Sequence, residues 1–254
     1  MQIQERHEKI LEQARRDGTV WVRELADQFS VTEDCIRKDL AALSRKNLLT
    51  RIHGGARPIR ENPHAFTTGE RADQHQEEKE QIASRALELI QPGMTIFLGI
   101  STITLALARL IQDAGLSVNV VTNMVGILNV FAAPSKARLI FLGGTLNHGR
   151  DGFTGTETIE QIHHFRFDMA FMGAVGIDLT EEAVSTYDME DGLTKKAVLD
   201  VARKTYLLAE QQKLQQEGNY VFARPEEFTA WICNGELSAA LKKEAVRASL
   251  SVLE

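Results

Sequence analysis

Residues 30–56 read Ser30-Val-Thr-Glu-Asp-Cys-Ile-Arg-Lys-Asp-Leu-Ala-Ala-Leu-Ser-Arg-Lys-Asn-Leu-Leu-Thr-Arg-Ile-His-Gly-Gly-Ala56. Three aliphatic side chains, Ile36, Leu40 and Leu43, follow the spacing of one helix face, and basic side chains lie on the other faces. This pattern predicts an amphipathic helix that begins after Thr32, because threonine is a favoured N-cap and the two acids that follow it suit the helix dipole. A short basic strand and a turn with two glycines are predicted to follow the helix.

Two further helices are predicted ahead of this segment. The first covers about residues 3–16 and ends at a glycine suited to a left-handed cap, and the second has an apolar face between residues 22 and 29. Helix, turn, amphipathic helix and basic hairpin are, in this order, the parts of a winged helix-turn-helix, which places one helix in a groove of DNA. Taken alone, the basic helix would also fit a solvated surface helix. Its context favours DNA binding.

Charge is distributed unevenly along the chain, whose formal net charge is -6. Residues 1–60 contain 12 Lys and Arg against 9 Asp and Glu, whereas the remainder contains 17 against 26. Residues 35–60 carry seven basic side chains and one acid, Asp39. A basic stripe on an acidic protein indicates a targeted contact with nucleic acid rather than general binding of polyanions. The residues predicted to contact double-stranded operator DNA are Thr32, Asp34, Arg37, Lys38, Ser44, Arg45, Arg51 and His53.

Composition limits the class of protein. The 254 residues, of which 43% are hydrophobic and 25% charged, suit one large globular domain or two of ordinary size. No apolar run reaches the ~18 residues needed to span a membrane, and the charged N-terminus does not resemble a secretory signal, so a cytoplasmic location is expected. There are only two cysteines, and the adjacent histidines His163 and His164 would point about 100° apart on a helix. The sequence therefore predicts no metal site, no cofactor and no catalytic residue.

Residues 58–75 separate two different patterns. They contain two of the five prolines and show no apolar period, so we interpret them as a linker between a winged helix-turn-helix domain in residues 1–57 and a second domain in residues 76–254. The second domain alternates amphipathic helices with near-continuous apolar strands. This alternation predicts an α/β fold with a mainly parallel sheet that is covered on both faces.

Folds of this kind bind ligands beyond the carboxyl ends of their strands. Here the segments that follow the predicted strands are rich in glycine and hydroxyl side chains. Together with a helix N-terminus near residue 101 they make a cradle for a phosphate group. The predicted effector-binding residues are Ser101, Thr102, Thr104, Thr122, Asn123, Gly143, Gly144, Gly173, Asp188 and Lys213. Four of them also fit a structural role: Gly143 and Gly144 as a turn, Asp188 as a helix start, and Lys213 as a surface residue.

The helix and hairpin residues resemble a known signature. Ile36-Arg-Lys-Asp-Leu40, Leu43 and Leu49-Thr-Arg-Ile-His-Gly-Gly-Ala56 are similar to the winged helix-turn-helix signature of DeoR-type bacterial transcriptional regulators. Weaker matches follow through the second domain, among them Thr122-Asn123 and Asp168-Met-Ala-Phe-Met-Gly173. The resemblance implies a cytoplasmic repressor of a carbohydrate or polyol operon, and not an enzyme. It also implies a C-terminal domain that is similar to sugar-phosphate isomerases, binds a phosphorylated sugar or polyol, and takes part in a homo-oligomer, a dimer or tetramer.

The chain departs from the family pattern at two places. The family usually has an Asp-x-Gly-Thr/Ser-Thr type loop after its first sheet strand, whereas this chain has Gly99-Ile-Ser-Thr102. An Asp commonly stands three residues before the family's lysine, and this chain has Glu210 before Lys213. The hydroxyls and the lysine can still hold a phosphate, but a carboxylate that would bind a sugar hydroxyl is missing at residue 99. The resemblance therefore implies a different ligand or a weaker affinity.

Two other classes of function fit parts of the sequence. A sugar-phosphate isomerase-like enzyme with a DNA-binding appendage would need a general base near the reacting carbon, and the missing carboxylate at residue 99 counts against it. An adaptor that uses the winged helix for protein contacts predicts no salt-dependent DNA binding. The leading interpretation is a DNA-binding repressor whose binding is modulated by a phosphorylated sugar.

Overall fold

The structure of this chain, a computed structural model, describes residues 2–60 and 75–254. The chain divides into two compact units. The smaller, N-terminal unit contains the described residues up to 60 together with Leu237–Lys243. The larger, C-terminal unit contains the remaining described residues from 75 onward. The predicted linker, residues 58–75, lies outside the described residues except at its two ends. In the described ranges, no helix combines the length and the apolar character needed to cross a membrane.

Three helices and a three-stranded antiparallel sheet form the N-terminal unit. In chain order they are α1 (Ile3–Asp17), β1 (Val20–Trp21), α2 (Val22–Phe29), α3 (Glu33–Arg45), β2 (Leu49–Ile52) and β3 (Gly55–Pro58), and the strand order is β1-β3-β2. The sequence predicts a turn over residues 53–55, but Gly55 instead starts β3 opposite Ile52. A side chain at Gly55 would come within 2.2 Å of the Val20 carbonyl oxygen, so glycine allows β3 to lie against β1.

Local sequence features position α3. Ser30 adopts a left-handed conformation that ends α2, and the Thr32 side chain accepts a hydrogen bond from the Cys35 N–H at 3.3 Å, which caps α3 as predicted. The inner face of α3 packs into the apolar core of the unit, because its aliphatic side chains recur at helical spacing. This core includes Ile10, Ala14, Leu25, Ile36, Leu40, Leu43 and Leu49.

The C-terminal unit alternates helices and strands as the sequence predicts. Its helices are α4 (Gln76–Glu88), α5 (Thr102–Asp113), α6 (Val125–Val130), α7 (Thr156–His163) and α8 (Met189–Val201). Its strands are β4 (Thr95–Leu98), β5 (Asn119–Thr122), β6 (Arg138–Phe141), β7 (Thr145–Leu146), β8 (Phe153–Thr154), β9 (Met169–Met172), β10 (Gly176–Asp178), β11 (Ala183–Thr186), β12 (Thr205–Leu208), β13 (Tyr220–Ala223), β14 (Ala230–Ile232) and β15 (Val252–Leu253). A further helix, α9 (Ala239–Arg247), is divided between the two units after Lys243.

A seven-stranded parallel sheet forms the centre of this unit. Its strand order is β15-β14-β12-β9-β4-β5-β6. The chain runs outward from β4 through β5 to β6 and then returns to β9 on the other side of β4. The strand order therefore reverses between β4 and β9, and such a reversal opens a crevice at the carboxyl ends of the strands.

Two small antiparallel sheets accompany the parallel sheet, and the sequence predicted neither. One is the β7–β8 hairpin, and the other has the strand order β10-β11-β13. The main core lies between the parallel sheet and the helices packed on it. Its fully or almost fully buried members include Ile96, Leu98, Leu107, Val120, Ile127, Phe171, Leu208 and Ile232.

Truncation of Leu107 tests this core. Leu107 is 0% exposed on α5, and Leu107→Ala should lower the free energy of unfolding by about 2–5 kcal/mol because it removes buried methyl groups and leaves a cavity. Leu128→Ala, on the exposed side of α6, is the matched control and should change it by less than about 0.5 kcal/mol. Scanning calorimetry of the full chain measures both. Equal effects of the two substitutions would contradict the packing described above.

Candidate nucleic-acid interface and ligand site

A basic groove lies on the outer side of α3. It has a volume of about 340 Å³ and is lined by Lys38, Ala41, Ser44, Arg45 and Arg51. The first four belong to α3, and Arg51 reaches it from β2. The structure thus brings together four residues for which the sequence predicts DNA contact. Three of them are cationic, so the groove suits a polyanion.

Arg37 and Asp34 lie beside this groove and are paired with each other. The Arg37 guanidinium donates to Asp34 Oδ1 at 2.8 Å and to Glu33 Oε2 at 2.5 Å, and all three side chains are exposed. Thr32 uses its hydroxyl oxygen as the N-cap of α3, and His53 is exposed in the turn after β2. DNA contact by these four residues stays a prediction.

The inner side of α3 carries a buried charge that the sequence did not mark as special. Arg6 of α1 donates to Asp39 twice, from Nε to Oδ2 at 2.6 Å and from Nη2 to Oδ1 at 3.1 Å, and both residues are 5% exposed. His7 Nε2 lies 3.0 Å from Asp39 Oδ1. Burial alone would raise the pKa of Asp39, but the hydrogen bonds from Arg6 and His7 outweigh it. The pKa of Asp39 therefore lies below its ordinary value, and the carboxylate stays ionised.

In the C-terminal unit, the loops after β4 and β9 meet at the crevice. Ser101 is the N-cap of α5, and its Oγ accepts a hydrogen bond from the Ile103 N–H at 3.2 Å. A side chain at Gly173, just after β9, would come within 2.7 Å of both Cβ and Oγ of Ser101. Two predicted effector-binding residues, Ser101 and Gly173, are therefore neighbours. The half-buried Thr102 is the first residue of α5.

Two predicted effector-binding threonines have a different role in this structure. Thr104 donates its hydroxyl to the carbonyl oxygens of Gly99 at 2.6 Å and Ser101 at 2.8 Å, and Thr122 donates to Leu98 O at 2.6 Å. Both threonines are 0% exposed. In this structure each hydroxyl is without exposed surface and is bound to the main chain. These two residues hold the loop after β4, and their direct contact with a ligand stays a prediction.

Asn123 connects the end of β5 to the β7–β8 hairpin. Its Nδ2 donates to the Phe153 carbonyl at 2.7 Å, and the Phe153 N–H donates to the Asn123 carbonyl at 2.9 Å. Asn123 is 2% exposed, and within the described part of the chain its side-chain oxygen accepts no hydrogen bond. A buried acceptor in this state is costly unless a donor reaches it.

The other predicted effector residues have internal partners. The Gly143 carbonyl accepts from Thr158 Oγ1 at 2.7 Å, and Gly144 has a φ of +153°, so the glycine pair serves the turn between β6 and β7. Asp188 caps α8 by accepting from the Asp191 N–H at 2.9 Å, which is the helix-start role left open above. Lys213 Nζ donates to Gln216 Oε1 at 2.9 Å.

Asp191 and Lys195 form a buried polar cluster on the inner side of α8. Lys195 is 6% exposed, and its Nζ lies 2.7 Å from Asp191 Oδ2 and 3.1 Å from Thr186 Oγ1. The same ammonium lies 5.2 Å from the centre of the Phe222 ring. These contacts join α8 to β11 and β13. An Asp–Lys pair four residues apart is common on exposed helices, so its burial could not be read from spacing.

Neither cysteine forms a disulfide in the part of the chain that the structure describes: Cys35 is half-buried and Cys233 is buried. Within residues 2–60 and 75–254, no three His, Cys, Asp or Glu side chains are grouped so that they could hold a metal ion.

Comparison with known families assigns both units. Residues 6–62 match the DeoR-like helix-turn-helix domain, and residues 74–235 match the DeoR C terminal sensor domain. The chain belongs to the DeoR family. It is a DNA-binding transcription regulator with a sensor domain, and not an enzyme. The winged-helix residues from Ile36 to Ala56 therefore identified the family correctly.

Individual DeoR-family relatives resemble most of this chain. The glycerol-3-phosphate regulon repressor of Escherichia coli is 32% identical over 213 residues, which are 84% of this chain and 83% of that protein. The lactose phosphotransferase system repressor of Lactococcus lactis subsp. lactis is 30% identical over 218 residues, 85% of each chain. Among solved structures, ribose 5-phosphate isomerase A from Methanocaldococcus jannaschii is similar over 55% of both chains, with 19% identity and a TM-score of 0.39.

Replacement of Arg51 tests the basic groove. Each phosphate contact that is lost should reduce the slope of log affinity against log salt by about 0.9. Arg51→Ala should therefore weaken binding to a random-sequence duplex. Between about 50 and 200 mM salt it should also make the slope of log affinity against log salt shallower by about 0.9, the contribution of one phosphate contact. Arg109→Ala removes an exposed arginine from α5 of the other unit and is the control. An unchanged slope for Arg51→Ala would mean that the β2–β3 hairpin does not contact the DNA phosphates.

Proposed function

We propose that this DeoR-family regulator represses a carbohydrate or polyol operon and that a phosphorylated sugar or polyol modulates its binding to operator DNA. The observation that carries the DNA part is the groove of about 340 Å³ between α3 and β2. Its cationic lining and its position on the outer face of α3 fit a winged helix in which α3 enters the major groove and the β2–β3 hairpin, the wing, lies along the DNA backbone. The names of the relatives support the repressor role, since both act in sugar or glycerol-phosphate regulation.

The lining residues divide into two kinds. Lys38, Arg45 and Arg51 supply charge for phosphate oxygens, which fixes the position of the protein on DNA. Ala41 and Ser44 are small, so they let the helix approach base edges, where a methyl group can contact thymine and a hydroxyl can accept or donate.

The effector part rests on the crevice between β4 and β9. The N-terminus of α5 at Ser101 and Thr102 offers main-chain N–H groups and the positive end of a helix dipole, which favour a phosphate. The buried side-chain oxygen of Asn123, which accepts no hydrogen bond within the described residues, suits a hydroxyl of a sugar or polyol. No carboxylate takes part at residue 99, because this position is glycine.

A homo-oligomer in the cytoplasm follows from this function. Two winged helices must meet two half-sites on one face of the duplex, so a dimer or tetramer is the expected active form. The rival interpretation, an isomerase with a DNA-binding appendage, requires turnover. Incubation with pentose and hexose phosphates should give no isomerised product, and a product would overturn the regulator-only function.

One experiment tests the proposal as a whole. The 254-residue chain would select duplexes from a randomised pool. The selected duplex would then be titrated in the presence of glycerol 3-phosphate and a panel of phosphorylated sugars. We expect one sequence to be enriched and at least one phosphorylated compound to change its affinity. The unphosphorylated sugars serve as controls. If no sequence is enriched, the repressor function is wrong.

Arg37 gives a sharper test of recognition. Exposed ion pairs contribute little to stability, so Arg37 can leave Glu33 and Asp34 for DNA at small cost. Arg37→Ala should lower affinity for the selected duplex by about 10-fold or more, which is the value of one good base contact. Circular dichroism should show an unchanged fold. Arg23→Ala, an exposed arginine of α2, is the matched control, and equal losses in the two variants would exclude a specific role for Arg37.

Gly173 gives the corresponding test of the effector crevice. In Gly173→Ala the new methyl group would force Ser101 to move, because its Cβ would lie 2.7 Å from Ser101 Cβ and Oγ. The effector-induced rise in melting temperature should therefore shrink, while binding to the selected duplex persists. Gly126→Ala on α6 is the control, since its methyl group would meet neighbours at 3.4 Å or more. An undiminished rise for Gly173→Ala would place the effector elsewhere.

A further inference from the structure

The apolar face of α3 contains one charged residue. Asp39 lies in the helix between Ile36, Leu40 and Leu43, all of which are at most 1% exposed, and it is itself 5% exposed. Its two carboxylate oxygens are both bound by the guanidinium of Arg6, and His7 lies within hydrogen-bond distance of one of them. The charge is therefore fully engaged with α1 and is not offered to DNA.

This contact is directional, which the surrounding apolar packing is not. Apolar burial is roughly proportional to area, so a helix can rotate somewhat on an apolar core at small cost. A guanidinium fork on a carboxylate requires two parallel hydrogen bonds and tolerates little rotation. The same Arg6 Nη2 also donates to Cys35 Sγ at 3.3 Å, one turn earlier on α3. Arg6 thus contacts α3 over a full helical turn.

The rotation of α3 determines where its outer side chains point. Side-chain ends lie about 5–6 Å from a helix axis, so a rotation of about 20° displaces them by about 2 Å. A hydrogen bond to a base edge spans a distance range of only about 0.5 Å. Lys38, Ala41 and Ser44 belong to the same rigid helix as Asp39, so an orientation fixed at Asp39 is transmitted to all three.

We propose that Asp39 is a positioning residue for DNA recognition, which fixes the rotation of α3 through the Arg6 fork so that the groove residues meet base edges. The proposal rests on the proposed DNA-binding function. It concerns sequence discrimination, meaning the ratio of affinities for the selected duplex and a scrambled duplex of the same composition. Contacts with phosphates are less demanding in geometry and carry no sequence information, so they should survive a small rotation.

Two variants of the 254-residue chain test this. Asp39→Asn keeps the shape of the side chain and removes the acceptor charge. The double variant Arg6→Met with Asp39→Leu removes both charges, so that it leaves no unpaired charge in the interior and keeps the unit folded even if the single variant does not fold. Glu5→Gln is the matched control, since it breaks the exposed pair of Glu5 with Lys9 on the same helix α1.

Affinity for both duplexes would be measured across a salt series, with circular dichroism as the check of folding. We expect the folded variants to lose discrimination by about 10-fold or more, the value of a base contact, and to keep the affinity for the scrambled duplex and its salt slope. The control should match the wild type. A folded double variant with wild-type discrimination would overturn the proposal, and so would a parallel loss of affinity for both duplexes. If the wild type itself enriches no sequence, the proposed function fails instead.

Discussion

The buried ion pair of Arg6 with Asp39 fixes the inner face of α3 against α1, and the orientation of the exposed face of α3 depends on it. Placing both charges in the interior carries a desolvation cost, and only a geometry in which both partners are fully hydrogen-bonded offsets it. The fork at 2.6 and 3.1 Å, with His7 at 3.0 Å from the same carboxylate, gives both oxygens of Asp39 a hydrogen-bond partner. A buried pair of this kind contributes more to a single orientation than to stability, because apolar residues of similar volume would stabilise the unit about as well. The outer groove depends on that orientation.

The sensor unit uses internal hydrogen bonds in a similar way at the edge of its sheet. Parallel strands end with carbonyl groups that need partners, and Thr104 and Thr122 supply them after β4. The loop is therefore shaped by its own hydroxyls, and Ser101 fits against β9 only because residue 173 is glycine. The effector site that we propose consists of the first turn of α5 and the oxygen of Asn123. This proposed set lacks a carboxylate, so it favours recognition of a phosphate over recognition of sugar hydroxyls.

Local patterns let the sequence predict α1 to α3, the seven parallel strands and four of the five residues that line the basic groove. Helical period, apolar runs and cap residues each act within about ten neighbours, so they can be read directly. The β10–β11–β13 sheet pairs Val184 with Ala223, and no local feature predicts a partner that far along the chain. The two-residue strands of the β7–β8 hairpin are too short to show alternation. For Thr104, the residue type suggested a binding role, and only the tertiary contacts reveal that its hydroxyl binds main-chain carbonyl groups. The burial of the Lys195–Asp191 pair is likewise revealed only by the tertiary structure.

The charged residues of α3 differ in how easily they exchange partners, and this difference organises recognition. Arg37 is held by Glu33 and Asp34 in an exposed arrangement, where water can replace each contact and the net gain is small. Such an arginine is neutralised in the free protein, which limits unspecific attraction, yet it can move to DNA when a better acceptor is in reach. Asp39 is only 5% exposed, so water has little access to replace Arg6 at its carboxylate, and this contact does not exchange easily. Helix α3 thus has a fixed buried contact at Asp39, which determines its rotation, and an exposed ion pair at Arg37 that can exchange partners. Base recognition requires the fixed contact of Asp39 with Arg6, because Arg37 can reach an acceptor on a base only when α3 already has the correct rotation.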